Sequence, residues 1–370
     1  MNIIEDISAF SKQEIKPRAG KIDQDMMFPR EFVKELAEHK FLSVIFPKSL
    51  GGLELDPVTY GLFLEHAGKY CSNVRNLFLV SMSMVGGTVL KCGTQKQIEY
   101  WIPQIMDGSS VGAFSLTEPD VGSDTSSIQT TFEEVGKEYR INGKKKWTTM
   151  GGMADFLIVM AKNGDKTGAF IIETDRAGIK RRDLQGLLGN RGSHVAEIEL
   201  NNVMIPKENL LGDLESGTNM TVATALDIGR YNTAWGGVGL AQACFEEMVS
   251  YARKRTQFGK KLRTFQLIQQ MIGDAATNIH AARALVLNAG ALRKENSPHS
   301  IHETTMAKYF SSRMAMRVAD DAMQIHGGNG YSSEFPVERY FREAKALQII
   351  EGTSQVLVQL IAKYAMINVE

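Results

Sequence analysis

The sequence has few cysteines, no excess charge of either sign and no paired histidines. Only three of its 370 residues are cysteine, and none stands at CxxC spacing. Neither a disulfide framework nor a structural zinc site is therefore expected. Lys+Arg and Asp+Glu both number 42, so no overall charge favours nucleic acid or an anionic membrane surface. The seven histidines form no HExxH-type pair, and the sequence predicts no metal site.

Long apolar runs are missing as well. No run of about 18 apolar residues occurs, so a spanning helix is not expected. The polar N-terminus lacks the apolar core of a signal peptide. These absences predict a cytoplasmic protein with no nucleic-acid or membrane partner. Hydrophobic residues make up 43% and charged residues 23% of the chain, as in ordinary globular enzymes, and the length predicts two or three packed units.

Both ends of the chain are predicted to be helical. In residues 1–110, apolar side chains recur at helical spacing, as in FPREFVKELAEHKF at 28–41. From 217 to 370 the sequence predicts four long helices with short connections, which are typical of a bundle. Their predicted ranges are 217–255, 264–294, 302–326 and 352–367.

The middle of the chain is predicted to be a compact β domain. Short alternating runs such as FLIVMAK and GAFIIETD are separated by turn signals. We expect tight turns at NG (142–143), NGD (163–165) and NN (201–202). The order α, β, α argues for segregated domains rather than one βαβ sheet. The predicted fold class is therefore α+β multidomain, with an N-terminal all-α domain at 1–110, a central β-barrel-like domain at 111–216 and a C-terminal four-helix bundle at 217–370.

Five motifs that are weak singly occur in one order along the chain. They are AFSLTEPDVGSD at 113–124, KKWTTMGG at 145–152, RTQFG at 255–259, QIHGGNG at 324–330 and QIIEGTSQV at 348–356. In combination they resemble the flavin-dependent acyl-CoA dehydrogenases along nearly the whole chain. That family has the same domain order as the one predicted above. GGNG lacks GxGxxG spacing and follows no predicted strand, so a Rossmann site is rejected.

The resemblance implies a bound FAD and assigns the first motif to its flavin ring. The backbone of Phe114, Ser115 and Leu116 and the side chain of Thr117 would face the pyrimidine edge. Ser123 would reach the pyrophosphate. The alternative for this segment is an ordinary strand and turn, with TEPD supplying turn chemistry.

The second motif places Trp147 and Thr149 two residues apart. In a strand they would point to the same face, where an aromatic plate and a hydroxyl suit one side of a flavin. The resemblance places Thr149 near flavin N5. Met150 stands where the family has Asn, which leaves the packing of this loop open. The alternative is an exposed strand pair in a hairpin.

A further set of residues matches family contacts to FAD. The guanidinium of Arg255 would hold a diphosphate, although a cation at the end of a helix also stabilises the last carbonyls. In the family this Arg and the segment 324–328 contact FAD from a neighbouring subunit, so a homodimer or homotetramer is expected. The residues assigned to the cofactor in this way are Arg255, Gln257, Phe258, Gln266, Gln324, Gly327, Gly328, Thr353 and Gln355.

Glu351 is the predicted catalytic base. Removal of the α-proton of a thioester needs a carboxylate whose pKa is raised by an apolar, dehydrated site, and Ile349 and Ile350 precede Glu351. The alternative is that Glu351 caps the helix that follows. Some family members carry the base on the first long helix of the C-terminal domain, but the matching residue here is Gly229, which cannot act.

Two residues beside Gly229 are predicted to contact substrate. Arg230 matches a family Arg that supports the active site, and Asp227 matches a polar residue near the pantetheine arm. The alternative is that both belong to a structural ion pair.

The resemblance predicts FAD-dependent α,β-dehydrogenation of an acyl thioester, with a hydride passing to flavin N5. The acyl group would be carried by CoA or by an acyl carrier protein, and the electrons would pass to an acceptor such as an electron-transfer flavoprotein. The alternative enzyme is a flavin oxidase or monooxygenase on the same fold. A flavin-free binding protein is the third hypothesis, which the retained cofactor-facing residues disfavour.

Overall fold

The computed structural model describes residues 2–214 and 217–368. Helices come first, a β domain follows and helices return, so the predicted fold class is confirmed. The domain boundary predicted at residue 216 falls outside the described residues. Within the described ranges, no helix combines the length and the hydropathy needed to cross a membrane.

From residue 2 onward, the described part of the N-terminal region contains seven α-helices. Two of its connections, Ser11–Ile15 and Phe78–Gly86, are π-helical turns that continue the neighbouring helices. The second connection is buried along its whole length, because it runs between the other helices and the β domain. The helices are α1 Ile3–Phe10, α2 Lys16–Asp25, α3 Arg30–Glu38, α4 Pro57–Ala67, α5 Ser72–Leu77, α6 Gly87–Cys92 and α7 Gln95–Met106.

The middle region is one eight-stranded sheet. Its strands follow the order β6-β7-β3-β2-β4-β5-β8, and β1 lies parallel to β4. Six consecutive residues of β4 are buried, so this strand is covered on both faces. The strands are β1 Gly112–Ser115, β2 Thr131–Val135, β3 Glu138–Thr148, β4 Phe156–Asn163, β5 Lys166–Glu173, β6 Ile179–Asp183, β7 Ala196–Pro206 and β8 Leu210–Leu211.

Two of the three predicted turns were wrong. Asn142–Gly143 lies inside β3 and 201–202 lies inside β7, where the two strands pair across an irregularity of register. The backbone N–H of Asn202, a residue with a φ of +51°, donates to Asn142 Oδ1 at 2.7 Å. Residues that tolerate left-handed backbone serve a bulge as well as a turn. The hairpin between β2 and β3 turns at Gly136 instead, whereas the turn at 163–165 is confirmed.

The C-terminal region is helical, and it includes a short helix that was not predicted. Three long helices pack against one another, and a two-stranded hairpin follows the first of them. The helix α8 packs closely on α4, because an added Cβ at Gly61 would lie 2.1 Å from the ring of Trp235. The elements are α8 Gly217–Lys254, β9 Thr256–Gln257, β10 Lys260–Lys261, α9 Gln266–Lys294, α10 Ser300–His326, α11 Val337–Leu347 and α12 Ser354–Asn368.

Candidate active site

A cavity of about 720 Å³ lies where the three regions meet. One wall comes from α5 and the turns after it, a second from the loop after β1 and the end of β3, and a third from α8 and the segment before α12. Its size falls within the usual range for a small-molecule site. Seven of the predicted cofactor residues line it: Phe114, Leu116, Thr117, Ser123, Trp147, Thr149 and Thr353.

Ser115 lies behind this wall. It is buried, and its hydroxyl lies 3.2 Å from the hydroxyl of Thr148. Thr148 is the last residue of β3, so the contact joins β1 to the end of the strand that carries Trp147. The side chain of Ser115 therefore holds two cavity walls together.

Trp147 and Thr149 share the cavity, but not for the predicted reason. Thr149 lies beyond the end of β3, and the register of β3 against β7 shifts between Lys145 and Thr148. Trp147 sits in this bulge with a φ of +62°. The bulge re-aims the indole, which stays 51% exposed, so strand alternation was the wrong argument.

A buried ion pair that the sequence analysis missed joins the first two motifs. Lys145 Nζ lies 2.7 Å from Glu118 Oε1, and both side chains are buried. The other Glu118 oxygen accepts from the backbone N–H of Gln129, while Oε1 also accepts from that of Thr130. Burial lowers the pKa of Lys145 to about 8, and the contact with Glu118 opposes that shift. The pair fixes the loop after β1 to β3.

Glu351 lines the cavity with an unsatisfied carboxylate. Its Oε2 atom is buried and has no hydrogen-bond partner among the described residues. Burial raises its pKa to about 7, against the opposing charges of Lys308, Arg230 and Arg75. Glu351 also adopts a φ of +55°, a conformation that side chains other than glycine seldom adopt. A strained residue with a perturbed pKa in a cavity is a candidate catalytic group.

Glu351 is not the cap of α12. That helix begins at Ser354, and the hydroxyl of Thr353 accepts from the backbone N–H of Val356 at 3.3 Å. Thr353 therefore occupies the capping position. The carboxylate of Glu351 points instead toward α8, because a Cβ added at Gly229 would lie 2.1 Å from its Oε2.

Two cations, the buried Lys308 and the half-buried Arg230, hold the backbone around Glu351. Lys308 of α10 donates from Nζ to the carbonyl of Gly352 at 2.6 Å, and Arg230 of α8 donates from Nε to the carbonyl of Glu351 at 3.3 Å. Burial lowers the pKa of Lys308 to about 7, and Glu351 opposes that shift. The sequence analysis identified Arg230 but missed Lys308.

Asp227 does not line the cavity. Its carboxylate pairs with the guanidinium of Arg293 on α9, as the ion-pair alternative expected.

Burial also lowers the pKa of the cavity residue Arg230, and Glu351 and Asp227 oppose that shift.

The remaining predicted cofactor residues are not among those that line the cavity. Phe258, in the loop between β9 and β10, is 92% exposed. The other members of this set are also exposed. They are Arg255, Gln257, Gln266, Gln324, Gly327, Gly328 and Gln355.

The sequence analysis also missed two asparagines in the cavity wall. Asn76 in α5 and Asn190 in the loop before β7 both line it and both are buried. Asn76 precedes the mostly apolar run that starts at Leu77, in a helix buried along its whole length, and Asn190, with a φ of +55°, is in a turn. A polar residue in a buried helical stretch was the available signal for Asn76.

Comparison with known protein families covers almost the whole chain. Residues 2–109, 113–203 and 215–366 match the models described as the acyl-CoA dehydrogenase N-terminal, middle and C-terminal domains. The chain belongs to the acyl-CoA dehydrogenase family. Among its relatives is the probable acyl-CoA dehydrogenase YngJ of Bacillus subtilis, which is 38% identical over 96% of this chain and 95% of its own length.

Two further members of the family are similar over almost their full length. The caffeyl-CoA reductase–Etf complex subunit CarC of Acetobacterium woodii is 36% identical, over 95% of this chain and 94% of its own. The solved structure of butyryl-CoA dehydrogenase from Megasphaera elsdenii is 32% identical. It superposes with a TM-score of 0.94 over 99% of this chain and 98% of that one.

Members of the acyl-CoA dehydrogenase family are FAD-dependent, and the cavity residues fit that cofactor. The indole of Trp147 is a large aromatic surface left half-exposed at the cavity, which suits stacking against a flat ring. The backbone around Leu116 and the hydroxyls of Thr117 and Thr149 supply polar atoms on the same walls. A flavin ring needs such partners for its carbonyl and nitrogen edges.

Proposed function

We propose that the protein catalyses α,β-dehydrogenation of an acyl thioester with FAD, and that Glu351 is the base. The observation that carries the proposal is that one cavity is lined both by the exposed ring of Trp147 and by Glu351, whose buried Oε2 has no hydrogen-bond partner among the described residues. A base and a flavin-stacking wall on the same cavity suit removal of a proton from one carbon and a hydride from the next.

Glu351 takes the α-proton of the acyl group at Oε2. With a pKa of about 7, it is half ionised at neutral pH and is a stronger base than an ordinary carboxylate. Leu79 and Val80 line the cavity with apolar surface, which excludes water and keeps that pKa high. When bound, FAD supplies the acceptor for the β-hydride.

The carbonyl of the thioester needs a donor, because negative charge develops on its oxygen as the α-proton leaves. We assign this role to the backbone N–H of Glu351. Arg230 and Lys308 contribute by fixing the carbonyls of residues 351 and 352, which restrains the backbone that follows that N–H.

The proposal extends to the tether, the electron acceptor and the assembly. The acyl group is carried by CoA or by an acyl carrier protein. Both carriers are proposed, because the dehydrogenation breaks only C–H bonds of the acyl group and none in the carrier. An electron-transfer flavoprotein is the proposed acceptor, supported by the name of CarC as a subunit of an Etf complex. The exposed residues around Phe258 are proposed to contact FAD in a neighbouring subunit of a cytoplasmic homodimer or homotetramer.

Anaerobic reduction of bound flavin tests the function. FAD-loaded protein is mixed with saturated acyl-CoA and acyl-carrier thioesters of graded length, and bleaching of flavin absorbance is followed. We expect bleaching by one class of thioester, and slow reoxidation in air. Fast reoxidation by oxygen would favour the oxidase, and bleaching by neither class would contradict the proposal.

The variant Glu351→Gln isolates the base, because Gln keeps the shape and removes the basicity. We expect it to retain FAD and to slow bleaching by at least about 1000-fold, at the upper end for a general base. Glu334→Gln is the matched control, since Glu334 is exposed and lies outside the cavity. Equal bleaching by both variants would exclude Glu351 as the base.

A further inference from the structure

Two asparagines in the cavity wall have amide oxygens without a partner. Asn76 of α5 is 2% exposed, and Asn190, in the loop before β7, is 8% exposed. Both residues line the cavity. The Oδ1 atom of each is buried and has no hydrogen-bond partner in the described part of the chain. A buried acceptor without a donor is destabilising, so a ligand in the cavity is the group that can supply the missing donors.

A serine links the two asparagines. Ser193 Oγ accepts from Asn76 Nδ2 at 2.8 Å and donates to Asn73 Oδ1 at 2.7 Å. The backbone N–H of Ser193 donates to the carbonyl of Asn190 at 3.0 Å, so residues 190–193 form a turn. Because the one hydroxyl hydrogen of Ser193 goes to Asn73, the amide nitrogen of Asn76 faces Ser193 and its amide oxygen is left over.

The turn that carries Asn190 packs closely against two helices. A Cβ added at Gly189 would lie 2.7 Å from the carbonyl oxygen of Arg342 in α11, and one added at Gly192 would lie 2.5 Å from Ile22 Cγ2 in α2. Close packing on both sides restricts the backbone of the turn. The position of Asn190 in the cavity wall is therefore set before a ligand binds, which lowers the cost of binding.

The two amide oxygens select for a neutral hydrogen-bond donor. An ionised carboxylate only accepts hydrogen bonds, as an amide oxygen does, so it would offer these oxygens nothing. A buried ammonium needs an anionic partner, and two neutral amides do not provide one. A hydroxyl is neutral and donates one hydrogen bond. Two hydroxyls, or one hydroxyl with a bridging water, would satisfy both oxygens.

We propose that Asn76 and Asn190 bind a hydroxyl group of the substrate. The preferred substrates are then acyl thioesters whose acyl group carries a hydroxyl beyond the two carbons that react. Leu79, Val80 and Met84 also line the cavity, and their apolar surface suits the hydrocarbon part of such an acyl group. The hydroxyl is held and does not react, so the bonds broken are those of the proposed dehydrogenation. This inference rests on the proposed function.

The first test compares thioesters in which a terminal methyl is replaced by a hydroxyl of similar size. The unaltered holoenzyme is given ω-hydroxybutyryl-CoA or pentanoyl-CoA, ω-hydroxypentanoyl-CoA or hexanoyl-CoA, and ω-hydroxyhexanoyl-CoA or heptanoyl-CoA, and anaerobic flavin reduction is measured against concentration. We expect at least about tenfold higher efficiency for the hydroxylated member of one pair, because the methyl leaves both oxygens without a donor. Equal or higher efficiency for every alkyl member would overturn the inference, and the bleaching itself would leave the proposed function intact. That result would also follow if an amide N–H of the carrier filled the site, since both members of a pair share the carrier.

The second test removes one of the two oxygens. Asn190→Gly deletes the side chain and keeps the backbone unstrained, because Asn190 has a φ of +55°, which glycine adopts readily. The preference for the hydroxylated thioester over its alkyl partner should fall at least about fivefold. Asn296→Gly is the matched control, since Asn296 is exposed and has a φ of +53°, and it should keep the full preference. An unchanged preference in Asn190→Gly would overturn the inference.

A binding measurement separates recognition from turnover. Glu351→Gln, alone and combined with Asn190→Gly or with Asn76→Leu, is titrated calorimetrically with both members of each pair. We expect Glu351→Gln to bind the hydroxylated member of one pair at least about tenfold more tightly, and both combinations to lose most of that difference. Flavin absorbance shows whether each variant still holds FAD. Equal affinities for hydroxylated and alkyl members in Glu351→Gln would overturn the inference even where the flavin is not reduced.

Discussion

Two glutamates lie beside buried lysines in this molecule, and their surroundings differ. In the middle region, Glu118 contacts Lys145 directly at 2.7 Å and also accepts two backbone N–H groups. In the C-terminal region, Lys308 donates to the carbonyl of Gly352, and one oxygen of Glu351 has no partner in the part of the chain that the structure describes. The pKa of Glu118 is lowered despite its burial, whereas burial raises that of Glu351 to about 7.

The contrast shows that burial alone does not decide what a carboxylate does. A carboxylate that receives a full set of donors stays ionised and fixes two segments together. A carboxylate left short of donors holds its proton to higher pH and is available to react. A lysine and a glutamate therefore hold two segments together in the middle region. In the C-terminal region the same two residue types leave a carboxylate that is suited to accept a proton.

The largest expected effect comes from breaking the satisfied pair. Glu118→Gln leaves the ammonium of Lys145 buried without its counter-charge, so the free energy of unfolding should fall by about 3–5 kcal/mol. Urea unfolding at pH 7 measures this change. Glu133→Gln is the control, because Glu133 forms an exposed ion pair that should contribute less than about 1 kcal/mol. Equal losses of unfolding free energy in both variants would show that the buried pair of Glu118 contributes no more than an exposed pair.

Replacement of the unsatisfied carboxylate, Glu351, is expected to raise the free energy of unfolding. The folded state holds the proton of Glu351 up to a pKa of about 7, whereas the unfolded chain releases it near the ordinary value. Ionisation therefore destabilises the fold as pH rises between these values. Glu351→Gln should raise the free energy of unfolding by roughly 3–3.5 kcal/mol at pH 8 and leave it unchanged below pH 4, about 1.4 kcal/mol being expected per pKa unit. A loss of stability at pH 8 would contradict the burial argument.

The charge of Lys308 is expected to change the pH dependence of flavin reduction. The rate of flavin reduction should rise with pH through a midpoint of about 7, because Glu351 must be ionised to accept a proton. The charge of Lys308 favours that ionisation, so Lys308→Met should move the midpoint upward by about one pH unit, or roughly 1.4 kcal/mol. Lys345→Met, at an exposed position of α11, should leave it in place. An unmoved midpoint in Lys308→Met would show that the lysine acts only on the loop.

The smallest effect concerns the helix that follows the base. Thr353 caps α12, so Thr353→Ala should lower the free energy of unfolding by about 1 kcal/mol. Thr353→Ser keeps the hydroxyl and should be nearly neutral. If the alanine variant loses FAD while unfolding as the parent does, Thr353 acts on the cofactor rather than on the helix.

The sequence predicted the order of the regions and singled out Glu351, a residue that the structure places in the cavity, because periodicity and motif spacing are local properties. The sequence did not predict the register in which the strands pair. Asn142 and Asn202 looked like turn residues, yet they face each other across two long strands, and only the pairing of those strands shows this. Motif reading placed Trp147 and Thr149 correctly in one cavity, but the bulge that puts them there depends on β7.

Residues that act across the chain were missed for the same reason. Lys308 lies 43 positions before Glu351 by number, in a helix with no local sign of a role, and reaches the base only through packing of α10. Arg75 likewise looks like a surface charge until Gly236 is seen to make room for it. Long-range placement of buried charge is set by tertiary contacts, which a single sequence does not display.

A Cβ at residue 229 would lie 2.1 Å from the carboxylate oxygen Oε2 of Glu351. A side chain at this position of α8 would therefore enter the volume that the carboxylate occupies, and the carboxylate would have to move. The absence of a side chain at residue 229 leaves room for Glu351 to reach the cavity from the segment before α12.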